Sequence, residues 1–181
     1  MNKQELESKI VWDEYSIGRV PIYLPFLDQE IVFELFTENK SISERMVSTI
    51  QEVVELPSNA VEKIKDLLWE EADFSFTVAD YGCEPKENET LKQAHFREFK
   101  LNSKEDTYTR ASILSVQIEE ENEEYADNFA EIKIDTATDN LISIIVKNGK
   151  IIDYDDDGTF LGWYIEDEKW AHHARQKLLN G

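Results

Sequence analysis

The sequence contains little cysteine, proline and glycine, and it has no long hydrophobic run. Its one cysteine, Cys83, excludes a disulfide within the chain. Only 4 prolines and 6 glycines occur, which argues against long linkers. No stretch approaches the length of about 18 apolar residues that a membrane helix requires. The first residues lack the apolar core of a signal peptide, so we expect a cytoplasmic protein.

Basic residues are also scarce. The chain has 19 lysines and arginines against 39 acidic residues, which gives a formal net charge of -20 at pH 7. This charge repels nucleic acids and anionic membranes, because binding to both depends on Lys and Arg. It attracts a basic protein and increases the rate of association. We therefore expect a basic protein partner, and neither a nucleic acid nor a membrane.

The composition is that of a globular protein. The 181 residues, of which 41% are hydrophobic, are enough to bury a core as a single domain over residues 1–181. Residues 9–37 are rich in β-branched and aromatic residues, which predicts a short series of strands. Pro21 and Pro25 lack the N–H that a central strand needs, so we expect this piece at a sheet edge.

Two amphipathic helices are predicted next. Ser41 and Glu44 fit a capping box, in which each side chain satisfies a free backbone N–H at the helix start. Apolar residues then recur at helical spacing as far as Leu56–Pro57, where proline disfavours helix in the preceding residue. Ser58 is placed to cap the second helix. The segment FSFTVADYG either prolongs that helix or leaves it, and the periodicity does not decide.

The second half of the chain is dominated by strand signals. The stretches RASILSVQIEE and NFAEIKIDT predict two strands, joined by an exposed acidic connection. Asn148–Gly149 lies between two apolar runs and predicts a tight hairpin, because both residues tolerate φ > 0. The last residues predict a closing helix, with acids first and basic residues last. Grouped strands of this kind predict an α+β fold, with a mostly antiparallel sheet packed against two central amphipathic helices and a C-terminal helix.

Four aspartates crowd around one glycine in the stretch IIDYDDDGTFLG. Asp153, Asp155, Asp157 and Gly158 match positions 1, 3, 5 and 6 of an EF-hand calcium loop. Position 12, however, is Tyr164 instead of the bidentate glutamate, and the flanks are predicted to be strands instead of helices. We interpret the stretch as a turn between two strands, because Asp and Gly tolerate turn geometry.

The catalytic patterns are weak. Glu131 and Lys133 share one face of a predicted strand, as in the acid-x-Lys element of many metal-dependent nucleases. A nuclease with this net charge would repel its substrate, so we interpret the pair as the polar face of a strand. His172 and His173 are neighbours on a helix and point about 100° apart, so they cannot readily share a metal. We predict no catalytic residue, no cofactor and no metal site.

Two acidic segments are candidates for binding the basic partner: the connection between two strands, and the aspartate turn. Their residues are Glu119, Glu120, Glu121, Glu123, Glu124, Asp155, Asp156 and Asp157. A run of acids is most often a solvated loop. The net charge of the whole chain favours the binding interpretation, because it would steer a basic protein toward these segments.

The layout resembles that of small acidic bacterial single-domain proteins, several groups of which are immunity proteins of contact-dependent and polymorphic toxin systems. The resemblance rests on the strand-rich start IVWDEYSIGRVPIYLPFLDQEIVFELF, the capped helices and the late stretch NGKIIDYDDDGTFLGWYIED. It implies non-enzymatic binding that neutralises a basic toxin domain, such as a nuclease. Immunity proteins are diverse, so no functional residue is carried over to this chain.

Two alternatives stay open. The first is a metal-dependent hydrolase that uses clustered carboxylates. A convergent, partly buried group of acids with room for a cation would favour it. The second is a regulatory or structural domain without a toxin partner.

Overall fold

A computed structural model of the chain describes residues 2–166 and 170–180. These residues form strands β1 (Val11–Trp12), β2 (Ile17–Leu24), β3 (Gln29–Phe36), β4 (Ser112–Glu119), β5 (Phe129–Asp135), β6 (Leu141–Lys147) and β7 (Lys150–Asp156). The helices are α1 (Lys3–Glu7), α2 (Glu44–Val54), α3 (Ala60–Val78), α4 (Leu91–Glu98), α5 (Lys104–Arg110), α6 (Trp163–Glu166) and α7 (Trp170–Asn180). A short 3₁₀ helix (Glu120–Glu124) follows β4.

The strands form one sheet in which sequence order and spatial order agree, from β1 to β7. Neighbouring strands are antiparallel except for β3 and β4, which pair in parallel. A parallel pair needs a long crossover connection. Here the crossover contains α2 to α5. The α+β prediction is therefore confirmed, with a mostly antiparallel sheet.

Alternation along the strands gives the sheet two different faces. In β2, the residues Val20, Ile22 and Leu24 are buried, and the residues between them are exposed. The buried set belongs to the main core, which also contains Phe33 and Leu35 of β3. Because α2 and α3 contribute their apolar sides to the same core, they cover this face. The opposite face, which we call the open face, is covered by helix in the described residues only at one end, where Tyr164 of α6 packs on Phe129 and Ile145.

The two central helices begin at slightly different residues from those expected. Ser43, and not Ser41, caps α2: its hydroxyl accepts a hydrogen bond from the N–H of Met46. Asn59, and not Ser58, is the residue immediately before α3, and the side chain of Asn59 makes no capping hydrogen bond. Helix α3 includes the first part of the ambiguous segment FSFTVADYG and ends at Val78, because Ala72 and Phe76 are buried in a second small core.

Of the expectations for the end of the sheet, the hairpin is confirmed and the strand after the aspartate stretch is wrong. Asn148 and Gly149 have φ values of 47° and 68° and join β6 to β7, so the hairpin prediction is confirmed. The segment after Gly158 was expected to be a strand, which is wrong: it turns into α6. Leu161 and Tyr164 are three residues apart, as on one side of a helix, and both are buried. Across the described ranges, no helix is both long enough and apolar enough to span a bilayer.

Candidate functional site

Polar side chains cross the middle of the open face from strand to strand. Arg19 of β2, Glu34 of β3 and Gln117 of β4 lie in register with Glu131 of β5. The carboxylate of Glu34 accepts hydrogen bonds from Arg19 at 3.0 Å and from Gln117 at 3.2 Å. Side chains directly opposite each other on neighbouring strands are in contact distance. Period-two alternation therefore gives this face a continuous polar floor.

Lys133 is the cation at the centre of this floor. Its Nζ donates to Glu131 Oε2, Ser143 Oγ and Asp157 Oδ1, each at 2.7 Å. These three bonds use all the donors of an ammonium group. Burial lowers the pKa of the amine, but the bonds to Asp157 and Glu131 outweigh burial, so the pKa is raised overall. Lys133 therefore stays charged and neutralises part of its acidic surroundings.

One end of the open face is covered by the segment that follows β7. Leu161 and Tyr164 from this segment pack on Phe129 of β5 and Ile145 of β6 in a separate small core. Asp155 supports the cover, because its carboxylate accepts hydrogen bonds from Thr159 Oγ1 and Tyr164 Oη, both at 2.9 Å. The covering segment thus forms a wall above the polar floor.

The acidic 3₁₀ helix forms the opposite wall. A 3₁₀ helix has three residues per turn, so residues three apart share a side. Glu120 and Glu123 are half-buried: Glu120 accepts a hydrogen bond from the N–H of Glu38, and Glu123 contacts the Ser43 hydroxyl. Glu121 and Glu124 lie on another side and are exposed. One acidic pair therefore anchors the wall, and the other pair is exposed to solvent and lines the cavity beside the wall.

Arg45 of α2 fixes this wall in place. Its guanidinium donates to the carbonyl oxygens of Glu123 and Asp127, both at 2.8 Å, and to Asn128 Oδ1 at 2.9 Å. Such a fork uses the planar donor geometry of arginine. The acidic connection, which the sequence predicts to be an exposed loop, is therefore held at Glu123 and at Asp127.

Between the two walls lies a cavity of about 420 Å³, which we call the acidic groove. Its lining includes Glu119, Glu121, Glu124, Tyr125, Asp157 and Phe160, with Glu131 and Lys133 on the floor. Five carboxylates thus face one amine. A second, more open cavity of about 460 Å³ adjoins it and shares Gln117, Lys133 and Asp157 with it. Exposed Val32, Leu114 and Leu141 line this second cavity.

The charged form of Glu119 is disfavoured by its surroundings in the groove. It is half-buried at the end of β4, and burial raises the pKa of its carboxyl group. The carboxylates of Glu131 and Glu121 raise this pKa further, and Lys133 only partly compensates. Within the described residues, Glu119, Glu121 and Glu124 have no ion-pair partner. The groove therefore carries uncompensated negative charge, of which the Glu119 carboxylate is half-buried and those of Glu121 and Glu124 are exposed.

Aromatic rings stand at the mouth of the groove. The ring of Tyr125 lies 6.3 Å from that of Phe160 at an interplanar angle of 80°, and Phe160 lies 6.3 Å from Trp163 at 82°. The side chain of Phe160 is 57% exposed, and that of Trp163 is 49% exposed. A Cβ at Gly162 would overlap the Phe160 ring, so the glycine at this position lets the ring lie where it does.

The structure brings together part of the acidic set that the sequence predicts. Glu119, Glu121, Glu124 and Asp157 line the groove from two segments that are distant in sequence. Glu120, Glu123 and Asp155 bind groups of the protein itself, as described above. Asp156 is exposed and lies outside the groove lining.

The calcium-loop pattern does not bring its aspartates together. Asp153 is 1% exposed and pairs with Arg175 of α7, whereas Asp157 pairs with Lys133. Both lie at the β7 end of the sheet, but each is held by a different cation. Throughout the described part of the chain, no group of three His, Cys, Asp or Glu side chains is placed to hold a metal ion.

Two parts of the groove were not anticipated from the sequence. The spacing of Lys133 from Glu131 does not predict its contact with Asp157, which joins residues 24 positions apart. The sequence patterns do not indicate Tyr125 and Trp163 as groove residues, although each lies within a few residues of an acidic segment. Aromatic residues next to an acidic run are the signal that could have indicated them.

No protein-family model, curated protein or solved structure matches this chain.

Proposed function

We propose that the protein is an acidic, non-enzymatic binding protein that neutralises a basic protein partner in the cytoplasm of the cell that makes it. In the form that the sequence resemblance implies, it is an immunity-type inhibitor, and the partner is a toxin domain such as a nuclease. The observation that carries this proposal is the acidic groove, in which uncompensated carboxylates face exposed aromatic rings.

Charge and apolar surface play different roles in such a complex. The net charge of -20 steers a basic partner toward the protein and increases the association rate. Affinity requires anchors that lose contact with water, and aromatic residues are the usual anchors. Phe160 and Trp163 provide them beside the groove, and Val32, Leu114 and Leu141 extend the apolar surface beyond Lys133. The open face therefore combines both requirements.

Inhibition follows from occupation of the partner's basic site. A nuclease concentrates Lys and Arg where it binds phosphates. The uncompensated carboxylates of the acidic groove are complementary to that surface, so a bound inhibitor would exclude the nucleic acid. The inhibitor needs no catalytic group for this, and its effect would be stoichiometric.

A metal-dependent hydrolase is the alternative that would use the same groove. A cation at the floor would compete with Lys133, whose amine already binds Glu131 and Asp157 at 2.7 Å. An engaged, buried amine disfavours a second cation at these two carboxylates. This arrangement supports the binding protein over the hydrolase.

The test combines affinity capture with a matched pair of charge variants. The groove variant carries Glu121→Lys and Glu124→Lys. The control carries Glu55→Lys and Glu87→Lys, two exposed acids outside the groove, so that both variants change the net charge equally. Wild type and both variants are used to capture proteins from a lysate of the source cell at low and at moderate salt.

We expect wild type and control to retain a stoichiometric basic protein that the groove variant loses. Purified partner should then associate more slowly with the groove variant than with the control in stopped-flow measurements. Its toxic activity should disappear on addition of an equimolar amount of wild type. An empty capture at both salt concentrations, or equal capture by both variants, would contradict the proposal.

A further inference from the structure

The acidic groove contains positions for a cation that the protein itself does not fill. Lys133 serves the floor, where it binds Glu131 and Asp157. Toward the 3₁₀ helix, Glu119, Glu121 and Glu124 have no cationic partner in the described residues. Glu119 stands between the two groups, half-buried at the end of β4. A cation from outside would therefore bind at Glu119 and not at the floor.

The same groove also has an aromatic lining. Tyr125 and Phe160 line the groove with their rings at 80° to each other, and the Phe160 ring packs over Gly162. A cation held by the carboxylates would therefore lie in the same cavity as these rings, whose faces carry the negative end of the ring quadrupole. Attraction between a cation and a ring face contributes binding free energy even at exposed sites.

Arginine fits this combination better than lysine. Its guanidinium is planar, binds carboxylates through two parallel N–H groups, and stacks on aromatic rings. It is also less strongly hydrated than an ammonium, so it loses less on entering a half-buried site. The cavity of about 420 Å³ is large enough for one such side chain with its neighbouring backbone.

We propose that the acidic groove binds an arginine side chain of the basic partner, with the guanidinium between the carboxylates of Glu119 and Glu121 and the rings of Tyr125 and Phe160. This inference rests on the proposed function, because it names the group through which that partner is recognised. The aliphatic part of the arginine lies against Phe160, and the adjacent partner residues contact the apolar surface at Leu114 and Leu141.

The experiment uses three short capped peptides of Gly and Ser that differ in one central residue: arginine, lysine or citrulline. Citrulline has the shape of arginine without its charge. Each peptide is titrated into isotopically labelled full-length protein, and amide chemical shifts are followed by NMR. We expect the arginine peptide to shift amides of residues 119–125 and 157–162, with a dissociation constant about two- to fivefold below that of the lysine peptide.

Two variants separate the contributions of charge and ring. Phe160→Leu keeps an apolar side chain at an exposed position, and it should remove the preference for arginine over lysine. Glu119→Gln should weaken binding of both cationic peptides. Glu55→Gln, outside the groove, is the matched control and should change neither.

The inference is overturned if the arginine peptide causes no localised shifts, if lysine binds equally well, or if citrulline binds like arginine. These outcomes are distinct from failure of the proposed function. A captured basic partner that depends on Glu121 and Glu124, combined with equal binding of the arginine and lysine peptides, would retain the function and reject the arginine site. A selective arginine site with no captured partner would retain the arginine site and reject the proposed function.

Discussion

Lys133 Nζ lies 2.7 Å from Asp157 Oδ1, so a nearly buried amine on the central strand β5 holds the turn that follows the edge strand β7. The same amine binds Glu131 on its own strand and Ser143 on β6. The floor of the acidic groove and its wall are thereby connected through one side chain. Both the stability of the sheet and the shape of the groove depend on this connection.

Replacing this amine should destabilise the protein strongly. Lys133→Met leaves the carboxylate of Glu131, which is 5% exposed, without a cation. Removing one partner of a buried ion pair typically costs about 3–5 kcal/mol. We expect a decrease of this size in the free energy of unfolding, measured by urea denaturation. Lys150→Met, at an exposed position, should change it by less than about 0.5 kcal/mol. A loss below about 1 kcal/mol for Lys133→Met would show that the Glu131 charge is not buried.

Glu119→Gln should stabilise the free protein at neutral pH. The folded-state pKa of Glu119 is raised above its ordinary value of 4.5, so the folded protein binds this proton more tightly than the unfolded chain does. The ionised carboxylate therefore lowers stability as pH rises above 4.5 through the raised pKa. Thermal denaturation from acid to neutral pH should show that the variant is more stable than wild type at neutral pH. This difference in stability should disappear below the ordinary pKa. A gain that is independent of pH would contradict a charge effect.

Arg175 should be the residue that holds α7 to the sheet. Its guanidinium binds Glu70 of α3 at 3.0 Å and the carbonyl oxygen of Tyr154 at 3.0 Å, and it pairs with Asp153. Arg175→Ala leaves the buried Asp153 carboxylate unpaired, at an expected cost of about 3–5 kcal/mol in the free energy of unfolding.

The control and the pH dependence sharpen this prediction. Lys177→Ala, an exposed change on the same helix, should be nearly neutral. Burial raises the pKa of Asp153, and Arg175 only partly lowers it again. The loss in the free energy of unfolding caused by Arg175→Ala should be smaller at acid pH, because Asp153 then takes up a proton. Equal losses at acid and neutral pH in denaturation curves would rule out the unpaired carboxylate as the cause.

Glu89 and Arg97 should order the segment between α3 and α4 in a pH-dependent manner. The Arg97 guanidinium donates to both carboxylate oxygens of Glu89 at 2.9 Å, and these bonds lower the pKa of Glu89 to about 2. Its stabilising effect is present above the ordinary value of 4.5 and is lost as pH falls from 4.5 to about 2. Glu89→Gln should speed amide exchange in residues 84–89 at neutral pH and have no effect at the lowest pH. Glu87→Gln, which is exposed, provides the control.

Local chemistry explains which parts of the fold were predictable. Asn148 and Gly149 determine their hairpin through their own backbone preferences, so a dipeptide was sufficient. The start of α2 was misplaced by two residues, because Ser41 and Ser43 are both good caps. Only the tertiary arrangement decides between them. The segment after Gly158 looked like a strand because its aromatic residues suit both structures, and burial of Leu161 and Tyr164 favours the helical turn.

The groove was harder to predict because contacts distant in sequence determine which acids line it. The sequence alone does not distinguish the five glutamates of residues 119–124 from one another. The backbone N–H of Glu38, 82 residues away, donates a hydrogen bond to the Glu120 carboxylate, and Arg45 donates one to the backbone carbonyl of Glu123. These contacts determine the rotation of the 3₁₀ helix and leave Glu121 and Glu124 outward. A charge count predicts the sign of such a surface, but it cannot predict its orientation.

The parallel pairing of β3 with β4 has a consequence for the order of folding. Glu34 and Gln117, which pair across these strands, are 83 residues apart in sequence. Strands β4 to β7 form from neighbouring segments, so they pay little loop-closure entropy and can assemble early. Joining them to β2 and β3 requires the whole helical crossover to be in place. We therefore expect the β3–β4 seam to close late and to limit the folding rate.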